Sequence, residues 1–230
     1  MREIVLDTET TGFEPSEGHR LVEIGGVELF NHMPTGRNYH QYINPERDMP
    51  EEAFNVHGLS EDFLRPQPKF AEVARAFVEF VDGATLVIHN AAFDMKFLNF
   101  ELERAGLPRL RVQVVDTLAI ARRKYPGSPA SLDALCRRFG IDNSARTKHG
   151  ALLDSEILAE VYLELMGGRQ PDFGLASSGG GRNAGPVDTA WRARPRPTPL
   201  PSRLTEAEAA AHAAFVAGMG EAAIWKRYES

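Results

Sequence analysis

Short apolar runs that pass straight into helical periods recur along the first 167 residues. "ATLVIHN", 84–90, is too brief for a helix and reads as a buried strand. "AAFDMKFLNFELERAG", 91–106, follows with no spacer and reads as a helix, with Gly106 and Pro108 as its stop. "RVQVVD", 111–116, is again a strand. "SLDALCRRFG", 131–140, is a helix capped by Ser131 and closed by Gly140, and "ALLDSEILAEVYLELMGG", 151–168, is the last strong helix. "PKFAEVARAFVEFVDG", 68–83, repeats apolar residues at helical spacing, Phe70, Val73, Ala74, Phe77, Val78 and Val81. Ahead of these, residues 3–7, 21–30 and 36–45 read as strands, with "NHMPTG", 31–36, as the turn before the third. Strands that feed helices predict an α/β domain.

The first strand ends unusually. "IVLDTETTGF", 4–13, aims an apolar run at Asp7 and Glu9, which alternation puts on one side of the strand. Two carboxylates that close repel, so each needs a cation, a proton or solvent. Asp94 follows a buried strand in the first turn of a helix. Asp154 opens the last helix, five residues after His149. Taken singly, these acids read equally as a solvated strand end or as helix caps. Asp116, followed by Thr117 at a helix start, reads as an N-cap. Together, Asp7, Glu9, Asp94 and Asp154 offer oxygen ligands and no thiolate, which suits Mg²⁺ or Mn²⁺. Four carboxylates can hold two ions about 3.5–4 Å apart, an arrangement suited to phosphodiester hydrolysis. A histidine, with its ordinary pKa of about 6.5, suits a base near neutrality, and His149 is the candidate.

Charge changes along the chain. Residues 1–167 hold 18 Lys and Arg against 26 Asp and Glu, a net −8; residues 168–203 hold 6 against 2, a net +4; residues 204–230 hold 2 against 4, a net −2. An acidic domain binds phosphates only if cations invert its local field, as a carboxylate cage would allow. Cys136 is the single cysteine, so an intrachain disulfide is excluded. "MREIVLD" is too acidic, and its apolar run too short, for a signal peptide. No apolar run nears the roughly 20 residues of a membrane span. The expectation is a soluble protein of the cytoplasm.

"DTETTG", "HNAAFD" and "HGALLD" resemble, in order and internal spacing, the three motifs of the DEDDh family of 3′→5′ exonucleases, over about residues 1–167. The resemblance implies a ribonuclease H-like fold, a mixed central sheet flanked by helices. It puts the family's metal-binding acids on Asp7, Glu9, Asp94 and Asp154, its general base on His149, and two divalent cations, Mg²⁺ or Mn²⁺, between them. The turn Thr10, Thr11 and Gly12 would then lie along the last nucleotide beside Asp7 and Glu9, and Gly12 would let backbone approach it closely. "EEAFNVHGLSEDFL", 51–64, is similar to a segment of the proofreading subunits of bacterial DNA polymerase III, which implies substrate contacts by Glu52 and His57. Without that likeness, both read as a loop acid and a packed histidine.

After Gly167 the composition shifts: residues 168–203 contain six Gly and six Pro and should form a flexible linker. Within it, Gln170, Phe173 and Leu175 resemble a sliding-clamp binding motif at 170–175, implying the β clamp as a partner. Residues 204–230 open on Thr205 and Glu208, a capping-box spacing, and read as a short helical tail. This tail resembles one that docks on the polymerase (alpha) subunit of DNA polymerase III, with Ile224 and Trp225 as anchors. The 28 residues between motif and tail, 176–203, would span roughly 30 Å as a coil. The domain division expected is therefore 1–167, 168–203 and 204–230. The function implied is proofreading hydrolysis of single-stranded or frayed 3′ DNA ends, releasing nucleoside 5′-monophosphates. Two other readings stay open: a family member acting on RNA or oligoribonucleotides, and a non-catalytic polymerase or clamp adapter.

Overall fold

Alternation along β1 (Arg2–Thr10) sets the architecture. Ile4 and Leu6 point to one face of the sheet and Val5 to the other, and all three are fully buried, so both faces need covering. β1 pairs antiparallel with β2 (Leu21–Phe30), which pairs antiparallel with β3 (Met33–Tyr42). On its other side β1 pairs parallel with β4 (Thr85–Ile88), which pairs parallel with β5 (Val114–Asp116). The order is β3-β2-β1-β4-β5, a mixed five-stranded sheet with β1 in the middle. The computed structural model describes residues 1–146, 148–168 and 205–219.

Helices cover both faces. α1 (Glu51–His57), α2 (Glu61–Leu64), α3 (Phe70–Val81) and α4 (Ala91–Arg104) come before β5; α5 (Thr117–Lys124), α6 (Leu132–Phe139) and α7 (Ala151–Leu165) follow it. Ile4, Leu6, Ile24, Leu86 and Ile88 pack with Phe70 and Phe77 of α3 and Phe97 and Leu98 of α4. Val5, Val27, Leu29 and Val87 pack with Ala121 of α5, Leu135 of α6 and Leu158, Val161 and Tyr162 of α7. The caps are those expected. The Asp116 carboxylate accepts from the N–H groups of Leu118 and Ala119, Ser131 accepts from Ala134, and Gly140 takes a left-handed φ of 68°.

The β2–β3 hairpin differs from the sequence expectation. Phe30 pairs with Met33, so the turn is only Asn31 and His32, with φ of 51° and 66°. Positive φ at both central residues is the two-residue hairpin turn whose twist suits the strands. Pro34 therefore lies inside β3, where an edge strand tolerates its missing N–H. Residues 51–64, read only as a contact segment, carry the two short helices α1 and α2.

A second described unit is α8 (Glu206–Gly218). Thr205 Oγ1 accepts from the Glu208 N–H while the Glu208 carboxylate accepts from the Thr205 N–H, the capping box that the spacing predicts. Gln170, Phe173, Leu175, Ile224 and Trp225 lie outside the described residues. Among the described residues, no helix is long and apolar enough to cross a membrane.

Candidate active site

The end of β1 reaches both helical layers at once. Asp7 pairs with Gly25 and Glu9 with Glu23 across β2. Gly25 has no side chain to hold off α7: a Cβ there would fall 2.2 Å from the backbone of Ala151 and Leu152. Ser155 seals this seat by donating its Oγ hydrogen to the carbonyls of Gly25 (3.0 Å) and Ala151 (2.8 Å). The first turn of α7, with Asp154, thus rests on the strand that flanks Asp7 and Glu9. On the other layer Thr8 Oγ1 donates to Asp94 Oδ1 at 2.7 Å. Asn90, just before α4, adopts a left-handed φ of 67°, which asparagine tolerates, and its N–H donates to Asp116 Oδ1.

Asp7, Glu9, Asp94, His149 and Asp154 line one cavity of about 460 Å³. Glu9, His149 and Asp154 present ligand atoms all within 4.8 Å of one another. Asp7 and Asp94 stand outside that trio but interact with it: Glu9 and Asp154 act on Asp7, and Asp94 acts on Glu9. Burial, then Asp94, Glu9 and Asp154, push the Asp7 carboxyl well above the carboxylate range. Burial, then Asp154, Glu23 and Asp94, push Glu9 up to about 8. Burial pushes Asp94 up to about 7 despite the Thr8 hydrogen bond. Asp154 goes the other way: burial raises it, but hydrogen bonds from His149 and Arg146 outweigh that and hold it low. Crowded carboxylates this far out of water are the environment that a hard divalent cation relieves. The donor set therefore fits such ions.

Two residues of this site were not picked out from the sequence. Glu23, buried directly opposite Glu9, is held by His40 Nε2 at 2.7 Å. Arg146 contacts both oxygens of Asp154, Nε to Oδ1 at 2.5 Å and Nη2 to Oδ2 at 2.7 Å. Its Nη1 donates to Asp133 Oδ1 at 2.9 Å, and Nη2 lies 2.8 Å from Nδ1 of His149. Nδ1 of His149 also lies 3.4 Å from Asp154 Oδ2, so it faces both members of this pair. Strand register could have found Glu23. The sole sequence signal for Arg146 is its place three residues before His149.

A second cavity, of about 340 Å³, adjoins the first and shares Thr8, Glu9, Phe13 and Phe93 with it. Thr10, Thr11, Gly12, Glu52 and His57 also line it. Gly12 has no room for a side chain, because a Cβ would meet the His19 ring at 2.3 Å. Arg20 braces this loop: its guanidinium binds Glu101 of α4 through Nε at 2.5 Å and Nη2 at 2.9 Å, both groups buried. Nδ1 of His57 accepts the Leu59 N–H at 3.0 Å, which leaves the ring proton on Nε2. That Nε2 is buried and has no hydrogen-bond partner among the described residues. Burial, then the Lys148 charge, lower the His57 pKa to about 4, so the ring is neutral near pH 7.

A mixed sheet with carboxylates gathered over the end of its central strand suits metal-dependent hydrolysis, and the exonuclease family profile matches residues 4–162. The chain belongs to this family, and within it to the DNA polymerase III epsilon subunits. It is 56% identical over 177 residues to DNA polymerase III subunit epsilon of Rickettsia conorii, covering 75% of this chain and 77% of that protein. The Escherichia coli K12 subunit is 52% identical over 176 residues, covering 73% of this chain and 72% of the relative. The solved nuclease domain of 3′hExo, a DEDDh family member bound to rAMP, shares the fold with a TM-score of 0.63 at 20% identity. The match covers 72% of this chain and 91% of that one.

Proposed function

We propose that this chain is the proofreading 3′→5′ exonuclease of a bacterial DNA polymerase III, removing nucleoside 5′-monophosphates from single-stranded or frayed 3′ DNA ends. One observation carries the reading: the cavity lined by Asp7, Glu9, Asp94, His149 and Asp154 opens beside a second cavity lined by Thr10, Thr11, Gly12, Glu52 and His57. The first suits hydrolysis and the second suits a terminal nucleotide.

Asp7, Glu9, Asp94 and Asp154 would hold two divalent cations, Mg²⁺ or Mn²⁺. Such ions supply a water of lowered pKa and stabilise charge on the leaving oxygen. His149, half-exposed at the cavity, takes the proton of the attacking water. The unpaired Nε2–H of His57 is a ready donor to the nucleotide, and the Thr10–Gly12 backbone lies along it. On this reading the enzyme acts on unpaired ends, so a mismatched end would be selected because it frays at lower cost.

Residues 1–167 would form the nuclease, 168–203 a tether, and 204–230 the polymerase-binding tail. The polymerase alpha subunit follows from membership among the epsilon subunits, with Ile224 and Trp225 as anchors. The β clamp follows from the pattern of Gln170, Phe173 and Leu175. Tethering would raise the local concentration of the nuclease at the primer end. The cytoplasm, where a bacterial chromosome replicates, is the compartment this reading requires.

The test uses 5′-labelled primers annealed with a matched or a mismatched 3′ end, in Mg²⁺ and in chelator. The expected result is a metal-dependent ladder shortening from the 3′ end, faster on the mismatch. No shortening under any metal would overturn the reading and favour a non-catalytic adapter.

A further inference from the structure

Several cations of the first unit pair with exposed acids, such as Arg65 with Glu61 or Lys96 with Glu14, and Arg20 forks onto Glu101 away from the acidic cavity. Arg146 is different. Its side chain is 9% exposed, and it engages both oxygens of a buried carboxylate inside the acidic cavity. A fork of this kind is among the strongest side-chain pairings, and it leaves Asp154 without an oxygen free of the guanidinium. The same group lies against Nδ1 of His149. Each oxygen keeps a second lone pair, but a divalent ion bound there would sit beside the guanidinium, and the repulsion between the two charges favours displacement of Arg146.

The neighbourhood also offers the guanidinium another seat. Nη1 already donates to Asp133 Oδ1, on the exposed side of the cavity, and Asp133 is steadied by Asn143 Nδ2 at 2.9 Å. Asp133 keeps nearly half of its side chain in solvent, so a guanidinium drawn toward it gains water as Asp154 is released.

We propose that Arg146 is a resident counter-cation at Asp154 that a divalent ion must displace, with Asp133 as the anchor on which the guanidinium swings aside. The inference rests on the reading of Asp154 as a metal ligand. Arg146 is on this view a positioning residue: it fixes the orientation of the Asp154 carboxylate through both oxygens, and it sets how tightly the site loads.

The test measures Mn²⁺ binding by the electron paramagnetic resonance of the free ion, on the full chain without DNA. Arg146→Gln should bind Mn²⁺ about tenfold more tightly than the parent, because a charge-assisted competitor is gone. Asp133→Asn should bind more weakly, because the displaced guanidinium loses its second seat. Arg146→Lys keeps the charge without the fork and should fall between parent and Arg146→Gln; it also serves if the Gln variant fails to fold. Equal or weaker binding by Arg146→Gln, with Asp133→Asn unchanged, would overturn the inference. Parent protein that binds no Mn²⁺, or Asp154→Asn that binds as the parent does, would instead overturn the metal-site reading beneath it.

Discussion

Gly25→Ala tests how the site is seated. The new Cβ would lie 2.2 Å from the backbone of Ala151 and Leu152, where ordinary contact begins at 3.4 Å, so α7 or β2 must yield by roughly 1.2 Å. Neither can yield freely. β2 is hydrogen-bonded on both sides, and α7 is wedged into the core by Leu158, Val161 and Tyr162. Overpacking of this kind costs about 1–3 kcal/mol. At roughly 2–4 °C per kcal/mol for a domain of this size, that is a fall of about 2–12 °C in melting temperature. The first turn of α7 takes the shift and carries Asp154 with it, and a misplacement of about 1 Å in a catalytic geometry costs on the order of 10²-fold in rate. Gly26→Ala is the internal control. Its Cβ would face the ring of Phe80 and the Ile4 side chain at 3.2 and 3.4 Å, on the opposite face of the sheet. The assay pairs kcat on a 5′-labelled single-stranded DNA in saturating Mg²⁺ with thermal melts. Gly25→Ala should lose rate well beyond Gly26→Ala. Equal rates in the two variants would refute the argument that Gly25 positions Asp154.

Asp7→Asn should lower turnover by on the order of 10³-fold or more, the loss that follows from the proposed role of Asp7 as a metal ligand worth several kcal/mol. The same variant should melt higher than the parent in chelator, since a crowded carboxyl whose ionisation folding disfavours is gone; a lower melting point would contradict the electrostatics. Stability in chelator should fall as pH rises from about 6.5 to 8. Glu9 and Asp94 bind protons in the folded state to about 8 and about 7, but only to about 4 when unfolded, so the folded state binds more protons there and loses ground as pH rises. Below pH 6.5, His57 opposes this, because its folded value near 4 lies under the unfolded one. Melts in chelator that rise through pH 6.5–8 would overturn the assignment, whereas saturating Mg²⁺ should abolish the fall. His57→Phe should raise KM for a single-stranded primer about tenfold, one hydrogen bond's worth, with a smaller effect on kcat; an unchanged KM would remove His57 from the substrate cavity. A chain ending at Gly167 should still digest oligonucleotides, and inactivity would mean that residues beyond it complete the nuclease.

The parts of this protein legible in its sequence are those governed by short-range rules. The apolar run in "IVLD" reads as a core strand and alternation puts Asp7 and Glu9 on one side of its end; β1 is that strand, and the structure adds that both its faces are buried. Asp116, Ser131 and Thr205 announced their helices because a cap needs only a side-chain oxygen and two or three following N–H groups. The hairpin was misread because Pro34 and Gly36 look like turn residues, while the turn uses Asn31 and His32. Histidine is an uncommon left-handed residue, and only the pairing of Phe30 with Met33 requires it there. Arg146 and Glu23 were missed for a different reason. Their significance lies in distances across the chain, to Asp154 and to Glu9, that no local pattern records.

The central place of β1 has a consequence for synthesis on the ribosome. Domains form from the N-terminus as the chain emerges, yet β1 completes its pairing only when β4, eighty residues on, has appeared. His149 and the helix that carries Asp154 come later still, and that helix ends at Leu165. A nascent chain thus holds Asp7, Glu9 and Asp94 without the residues that would complete the cavity. The repulsion among the acids is met only once the rest of the sheet and its helices stand ready to oppose it, and cutting power arrives with the last helix of the domain.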